Sequence, residues 1–211
     1  MRTPGHHRED DAPRLNPSET KRLFVAISPP GDILQKLHAA TTALAKEIPP
    51  QAIRWTHPKK LHLTLNFLGS IEVARIPEIQ SALDAACKGH PGHEVQVAGL
   101  GAFPTRSRPQ IIWAGLAGDL RALESVKRSI DVHFAACGFV AEARPFRPHL
   151  TLGRASAMSP GERRKLAKVL DEQRAREFGP WQIEKVDLMQ SVLSAQGTAY
   201  TTLESIALEK P

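Results

Sequence analysis

Two stretches decide how this chain is read: Leu61-His62-Leu63-Thr64-Leu65-Asn66-Phe67-Leu68 and Pro148-His149-Leu150-Thr151-Leu152-Gly153-Arg154. Each contains the word His-Leu-Thr-Leu, at 62–65 and again at 149–152. Successive side chains of a strand point to opposite faces. His62 and Thr64 then share one face and Leu61, Leu63 and Leu65 the other; His149 and Thr151 oppose Leu150 and Leu152 in the same way. A given four-residue word of these types arises at a chosen position with a probability on the order of one in 100,000 at ordinary residue usage. Its repetition within 211 residues argues for duplication. Structural repetition without chemistry is the competing explanation.

Working outward, the chain reads as two similar halves, about 21–105 and 106–211, with the two histidines 87 positions apart. The run 23–27 is rich in β-forming residues and ends at Ser28-Pro29-Pro30. Ile33, Leu34, Leu37, Ala40, Leu44 and Ile48 recur at helical spacing, and Pro49-Pro50 stops that helix. A short strand at 53–55 precedes the first histidine strand. Pro77 suits the first turn of a helix reaching about residue 88, and 94–97 alternates as a strand.

The second half opens with a strand at 110–114 and a helix over 118–137, whose stripe is Leu120, Leu123, Val126, Ile130 and Phe134. After the second histidine strand, Ser159-Pro160-Gly161-Glu162 supplies an N-cap, a proline at the first helical position and a glutamate at the third. That helix is expected to run to about residue 178. Closing strands are expected at 181–193 and 198–208, with a turn near 195–197.

Composition bounds the rest. The length suits one large domain or two small lobes, and 41% hydrophobic with 24% charged residues is ordinary for a soluble globular protein. Seven Phe, three Trp and one Tyr argue against the aromatic-rich sheet of a base-stacking RNA module. Cys87 and Cys137 form neither a metal spacing nor a disulfide framework and read as free thiols in a reducing, cytoplasmic compartment.

The net charge of +6 favours polyanionic partners. Arg144, Arg147 and Arg154 bracket the second tetrapeptide, whereas Arg163, Arg164, Lys165 and Lys168 read as the solvated face of a helix. No apolar run approaches the roughly 18 residues of a membrane span, so no membrane association is expected. Residues 1–20 are polar and proline-bearing, lack the apolar core of a signal peptide, and are expected to form a disordered extension.

Two imidazoles are what a metal-free acid/base chemistry on a phosphodiester requires. With a reference pKa near 6.5, one accepts a proton from water while the other, charged, protonates the departing oxygen. The Thr64 and Thr151 hydroxyls can donate to non-bridging phosphate oxygens, where charge develops. No Cys, third His or carboxylate stands at ligand spacing from His62 or His149, so no metal or other cofactor is expected.

These residues resemble the RNA 2′,3′-cyclic phosphodiesterase family, also called the 2′-5′ RNA ligase family, of the two-histidine phosphoesterase superfamily. The doubled His-x-Thr-x motif carries the resemblance. Arg22-Leu23-Phe24-Val25-Ala26-Ile27, Arg54-Trp55, Phe67-Leu68-Gly69, Gly101-Ala102-Phe103-Pro104, Trp113-Ala114-Gly115 and Pro145-Phe146-Arg147-Pro148 support it.

The resemblance implies an α+β fold of two pseudo-symmetric lobes, each an antiparallel sheet with outer helices, around a central cleft. Residues 21–211 then form one bilobal domain. A strand with one polar and one apolar face agrees with a sheet that has helices behind it and solvent in front.

The resemblance also implies opening of 2′,3′-cyclic phosphate ends to a 2′-phosphate, with His62 as acid for the 3′ oxygen and His149 as base for water. The reverse reaction would make a 2′-5′ linkage. Partners are then RNA ends bearing the cyclic phosphate, or small cyclic nucleotides, with a monomeric protein. Two other readings stand beside this one: a module that binds a nucleotide or RNA end without turnover, and a phosphodiesterase for another cyclic phosphate.

Further substrate contacts are open. Arg147 shares the His149 face by parity. Arg154 points away from that face in a regular strand, unless a bend at Gly153 turns it in. Asn66 shares the His62–Thr64 face, and Phe24 either stacks on a base or packs in the core. His57, His90, His93 and His133 read as surface or cap residues.

Overall fold

The computed structural model describes residues 19–194 and 197–210. The extension expected before residue 21 lies outside them except at its end, where Glu19 is described and the first strand already begins at Thr20. Residues 195 and 196 of the expected turn also lie outside.

The chain runs β1 (Thr20–Ile27), α1 (Gly31–Glu47), β2 (Ile53–Trp55), β3 (Leu63–Glu72), α2 (Ile76–Cys87), β4 (His93–Thr105), β5 (Arg108–Ala117), α3 (Arg121–Ala136), β6 (His149–Ala155), α4 (Pro160–Glu172), β7 (Glu177–Ile183), β8 (Lys185–Ser194) and β9 (Gly197–Ala207). All strand pairings among these elements are antiparallel, in the order β7-β4-β5-β6-β3-β1-β8-β9, with β2 added beside β6.

The two middle strands are the histidine strands, and Leu63 and Leu150 are their single pair of Cα partners. This narrow seam divides the sheet into two lobes. One holds β7, β4, β5 and β6, backed by α1 and α4; the other holds β3, β1, β8 and β9, backed by α2 and α3. From the seam outward the lobes match strand for strand. They are not cut from the chain at residue 105, however: β4 pairs with β5 and β7, while β8 crosses back to β1. The two sequence halves exchange strands.

Burial explains both the layers and two departures from the sequence reading. Alternate residues of β1, Leu23, Val25 and Ile27, enter the large core with the helix stripes of Ile33, Leu37 and Leu44, Ile79 and Leu83, and Leu123, Ile130 and Phe134. Phe24, Ala26 and Met189, with Tyr200, form a separate small cluster on the opposite face, which lines the cleft. The last helix stops at Glu172, not near 178. Leu166 and Leu170 are its buried residues, and the next positions at helical spacing, Gln173 and Arg174, offer nothing to bury. Phe178 is buried from β7 instead.

The single strand expected at 181–193 is two strands, in different lobes. Its apolar parity changes between Trp181/Ile183 and Val186/Leu188, and one strand with one core face keeps its parity.

Candidate active site

The two tetrapeptides are built alike beyond their sequence. Opposite β1, Thr64 pairs with Ala26 and Asn66 with Val25, so Leu65 is an extra residue. Opposite β5, Thr151 pairs with Trp113 and Gly153 with Ile112, so Leu152 is extra. Each motif therefore ends in a β-bulge at its last leucine. A bulge inserts one residue and re-aims the side chains that follow.

This changes two expectations from strand parity. Asn66 does not share the His62–Thr64 face. The bulge turns it to the helix side, opposite buried Val25, where its Nδ2 donates to Asp131 Oδ1 of α3 at 3.0 Å. Phe67 takes the cleft side instead, 70% exposed and 6.2 Å from Phe24 between ring centroids. In the second motif the same bulge brings Arg154 to the side of His149, whose titration its charge affects. Gly153 occupies the position corresponding to Asn66; a Cβ there would stand 2.8 Å from Ile53 Cγ2 and 3.0 Å from Trp55 Cε3. Only glycine lets β2 lie this close to β6.

The imidazoles are held in one orientation. His62 Nδ1 lies 2.9 Å from Lys60 O, and His149 Nδ1 lies 2.7 Å from Arg147 O. A carbonyl oxygen only accepts, so each Nδ1 carries the hydrogen and, in the neutral ring, each Nε2 holds the lone pair. Burial pushes the His62 pKa below the ordinary histidine value, the hydrogen bond to Lys60 opposes this, and the charge of His149 lowers it further. His149 is also lowered, first by burial, against its bond to Arg147, and then by the charge of Arg154. The two rings thus lie within electrostatic reach of each other.

Aromatic residues wall both rings. His62 packs on Phe24 at 5.0 Å and edge-on to Tyr200 at 5.1 Å. His149 stands edge-on to Phe103 at 5.1 Å, and Phe103 packs on Trp113 at 5.2 Å. The Trp113 indole lies across β4 where Gly101 leaves room: a Cβ on Gly101 would be 2.2 Å from Trp113 Cζ2. Phe24 is thus a buried wall of the cleft, touching His62.

The sequence alone assigns no role to Phe67, Tyr200, Phe103 or Trp113. Tyr200, the chain's single tyrosine, alternates with Thr202 in an expected strand, and Phe103 and Trp113 lie in the Gly-Ala-Phe-Pro and Trp-Ala-Gly words. Those are the signals that point to them.

Beside His149 a cavity of about 610 Å³ opens, with Phe103, Trp113, Arg106, Arg147, Ala167 and Asp171 in its wall. Arg106 Nη1 pairs with Asp171 Oδ1 at 3.1 Å. Arg147, which gives His149 its carbonyl, is exposed and lines this cavity. Among the described residues no group of three or more His, Cys, Asp or Glu side chains is placed to hold a metal ion. No helix among them is long and apolar enough to cross a membrane.

Fold and paired site define a two-histidine phosphoesterase. The chain belongs to the LigT-like phosphoesterase family, whose model matches residues 27–113 and 117–200. It is 30% identical over 156 residues to the RNA 2′,3′-cyclic phosphodiesterase of Methanothermobacter thermautotrophicus, covering 74% of this chain and 83% of that protein. Among solved structures it is similar to E. coli LigT complexed with 3′-AMP, with a TM-score of 0.71 and 27% identity over 90% of this chain and 99% of that one. The Thermus thermophilus protein TT0787 gives a TM-score of 0.70 and 26% identity over 90% of this chain and 98% of that one.

Proposed function

We propose that this protein hydrolyses the 2′,3′-cyclic phosphate at RNA ends to a 2′-phosphate, with His62 and His149 as the acid and base. The observation that carries the reading is the pairing of two like-oriented imidazoles, one from each lobe, across the Leu63–Leu150 seam. The names of the relatives support the substrate.

In the proposed step, neutral His149 takes a proton from water at Nε2 as the water oxygen bonds to phosphorus. The bond from phosphorus to O3′ breaks, and charged His62 gives its Nε2 proton to O3′. The site returns to its starting state by proton exchange with solvent. The charge of Arg154 near His149 favours the neutral ring, which suits the base. Thr64 and Thr151 stand beside their histidines to donate to the non-bridging oxygens. A 5′-hydroxyl in place of water would give a 2′-5′ linkage, the reverse of cleaving one.

The test is turnover of an RNA oligonucleotide ending in 2′,3′-cyclic phosphate, in excess chelator, with the product phosphate located by NMR. A 2′-phosphate is expected. A 3′-phosphate would reverse the leaving group, and activity that returns only with an added metal would overturn the mechanism.

A further inference from the structure

The cavity beside His149 has a neighbour. A second hollow of about 220 Å³ adjoins it, lined by Ser107, Pro160, Arg163, Arg164 and Ala167. Ser107 and Ala167 belong to both. The result is one trough running from Phe103 and Trp113 over the β4–β5 turn to the first turns of α4.

Its charge is one-sided. Arg106 and Arg147 line the first hollow with the single carboxylate of Asp171, which Arg106 already pairs, and Arg163 and Arg164 border the second, whose own floor is mostly apolar. Lys165, between Arg164 and Leu166, points elsewhere and pairs with Glu47 of α1 at 3.2 Å. The basic run of α4 is a largely exposed face, as expected, and two of its arginines border the trough. Two donors of the trough wall, Trp113 Nε1 and Arg106 Nε, are also buried with no acceptor among the described residues.

We infer that this trough carries the RNA strand leading to the reacting end, with aromatic surface at Phe103 and Trp113 for a base and arginines along the way for successive phosphates. This rests on the proposed action on RNA ends and adds the path of the strand, over the β4–β5 turn to the first turns of α4. Aromatic stacking together with a cationic track is the chemistry that holds single strands without reading their sequence. Arginines bordering a trough that leads away from the reacting centre suit a substrate that continues as a strand.

The experiment compares a cyclic mononucleotide with a single-stranded octaribonucleotide ending in 2′,3′-cyclic phosphate. The variants are Arg163→Glu/Arg164→Glu, Arg164→Glu and Lys165→Glu, the last making the same charge change on the neighbouring residue that faces away. The double variant is expected to lower kcat/KM for the octamer by about 10-fold or more at low salt, and to flatten its dependence on log salt concentration by about 1.4 for two lost single-strand phosphate contacts. Mononucleotide turnover should stay within about 2-fold, and Lys165→Glu should change neither substrate, since it touches no phosphate.

Equal rates for octamer and mononucleotide, or equal losses from Arg164→Glu and Lys165→Glu, would overturn the inference. If the wild type turns over neither substrate, the proposed reaction fails instead. Fluorescence anisotropy with a labelled octamer ending in 2′-phosphate then decides the trough separately: binding weakened by Arg163→Glu/Arg164→Glu but not by Lys165→Glu upholds it, and indifference to both removes it.

Discussion

Leu63 and Leu150 are the single Cα pair that joins β3 to β6, so the residues before them, His62 and His149, stand together where the lobes meet. Each ring donates Nδ1–H to the carbonyl two residues upstream. One local device, used twice, fixes both rings through Nδ1 and leaves each Nε2 outside that bond.

His62→Ala and His149→Ala are each expected to lower turnover by about 100-fold or more, the usual size of an acid/base contribution. Thr64→Ala or Thr151→Ala should cost roughly 1–4 kcal/mol of transition-state stabilisation. These polar side chains lie on the cleft side, away from the core packing of Leu63, Leu65, Leu150 and Leu152, so circular dichroism and melting should show all four variants folded. A histidine variant with near-full turnover would remove that residue from its role. An unfolded one would mean the pair is structural.

The alternation of polar and apolar residues made both histidine strands legible, and the spacing of apolar residues located three of the four helices to within a few residues, whereas the last was expected to run near 178 and stops at Glu172. What strand parity missed was the bulge after each threonine. Leu65 and Leu152 look like ordinary members of an alternating run; only the register against β1 and β5 shows that each is supernumerary. The bulges exchange the expected places of Asn66 and Phe67, and bring Arg154 to the side its sequence position denied it. The strand exchange was equally hidden. Partner choice for β4 and β8 depends on contacts distant in sequence, whereas hydrophobic periodicity reports only which face of a strand is covered.

Gly101→Ala tests the aromatic wall. The new methyl group would collide with the Trp113 indole, whose nearest atom would be 2.2 Å away, so the ring must leave its place beside Phe103. Overpacking of this kind costs about 1–3 kcal/mol. Altered tryptophan fluorescence and a raised KM with a smaller change in kcat are expected. Unchanged KM despite a displaced ring would show that the Phe103–Trp113 surface does not hold substrate.

Both histidines are pushed below their ordinary range, chiefly by burial, and this has a consequence for stability. A depressed folded-state pKa stabilises the fold above the unfolded value near 6.5, and that stability is lost as pH falls through the folded-state pKa. The melting temperature should therefore drop on acidification below about pH 6.5, and inorganic phosphate should restore part of it by binding the protonated pair. The drop should be smaller in the His62→Ala/His149→Ala double variant. A drop of the same size there would place the titrating groups elsewhere.

The same displacement sets the pH dependence of catalysis. Productive free enzyme has one ring charged and one neutral, and kcat/KM reports the free-enzyme values. Its bell should be centred below the ordinary histidine pKa and fall through neutrality, with limbs that belong to the coupled pair. A bound phosphate anion favours imidazolium, so the kcat profile should lie at higher pH than that of kcat/KM. Arg154→Ala tells the two assignments of acid and base apart. Removing its positive charge must raise the His149 pKa, because that charge is one of the causes lowering it. If His149 is the base, the acidic limb of kcat/KM moves to higher pH; if His149 is the acid, the basic limb moves instead. Loss of activity with neither limb displaced would show that Arg154 meets the substrate without tuning His149. A wild-type profile rising steadily through about pH 9, where no histidine titrates, would end the two-histidine mechanism.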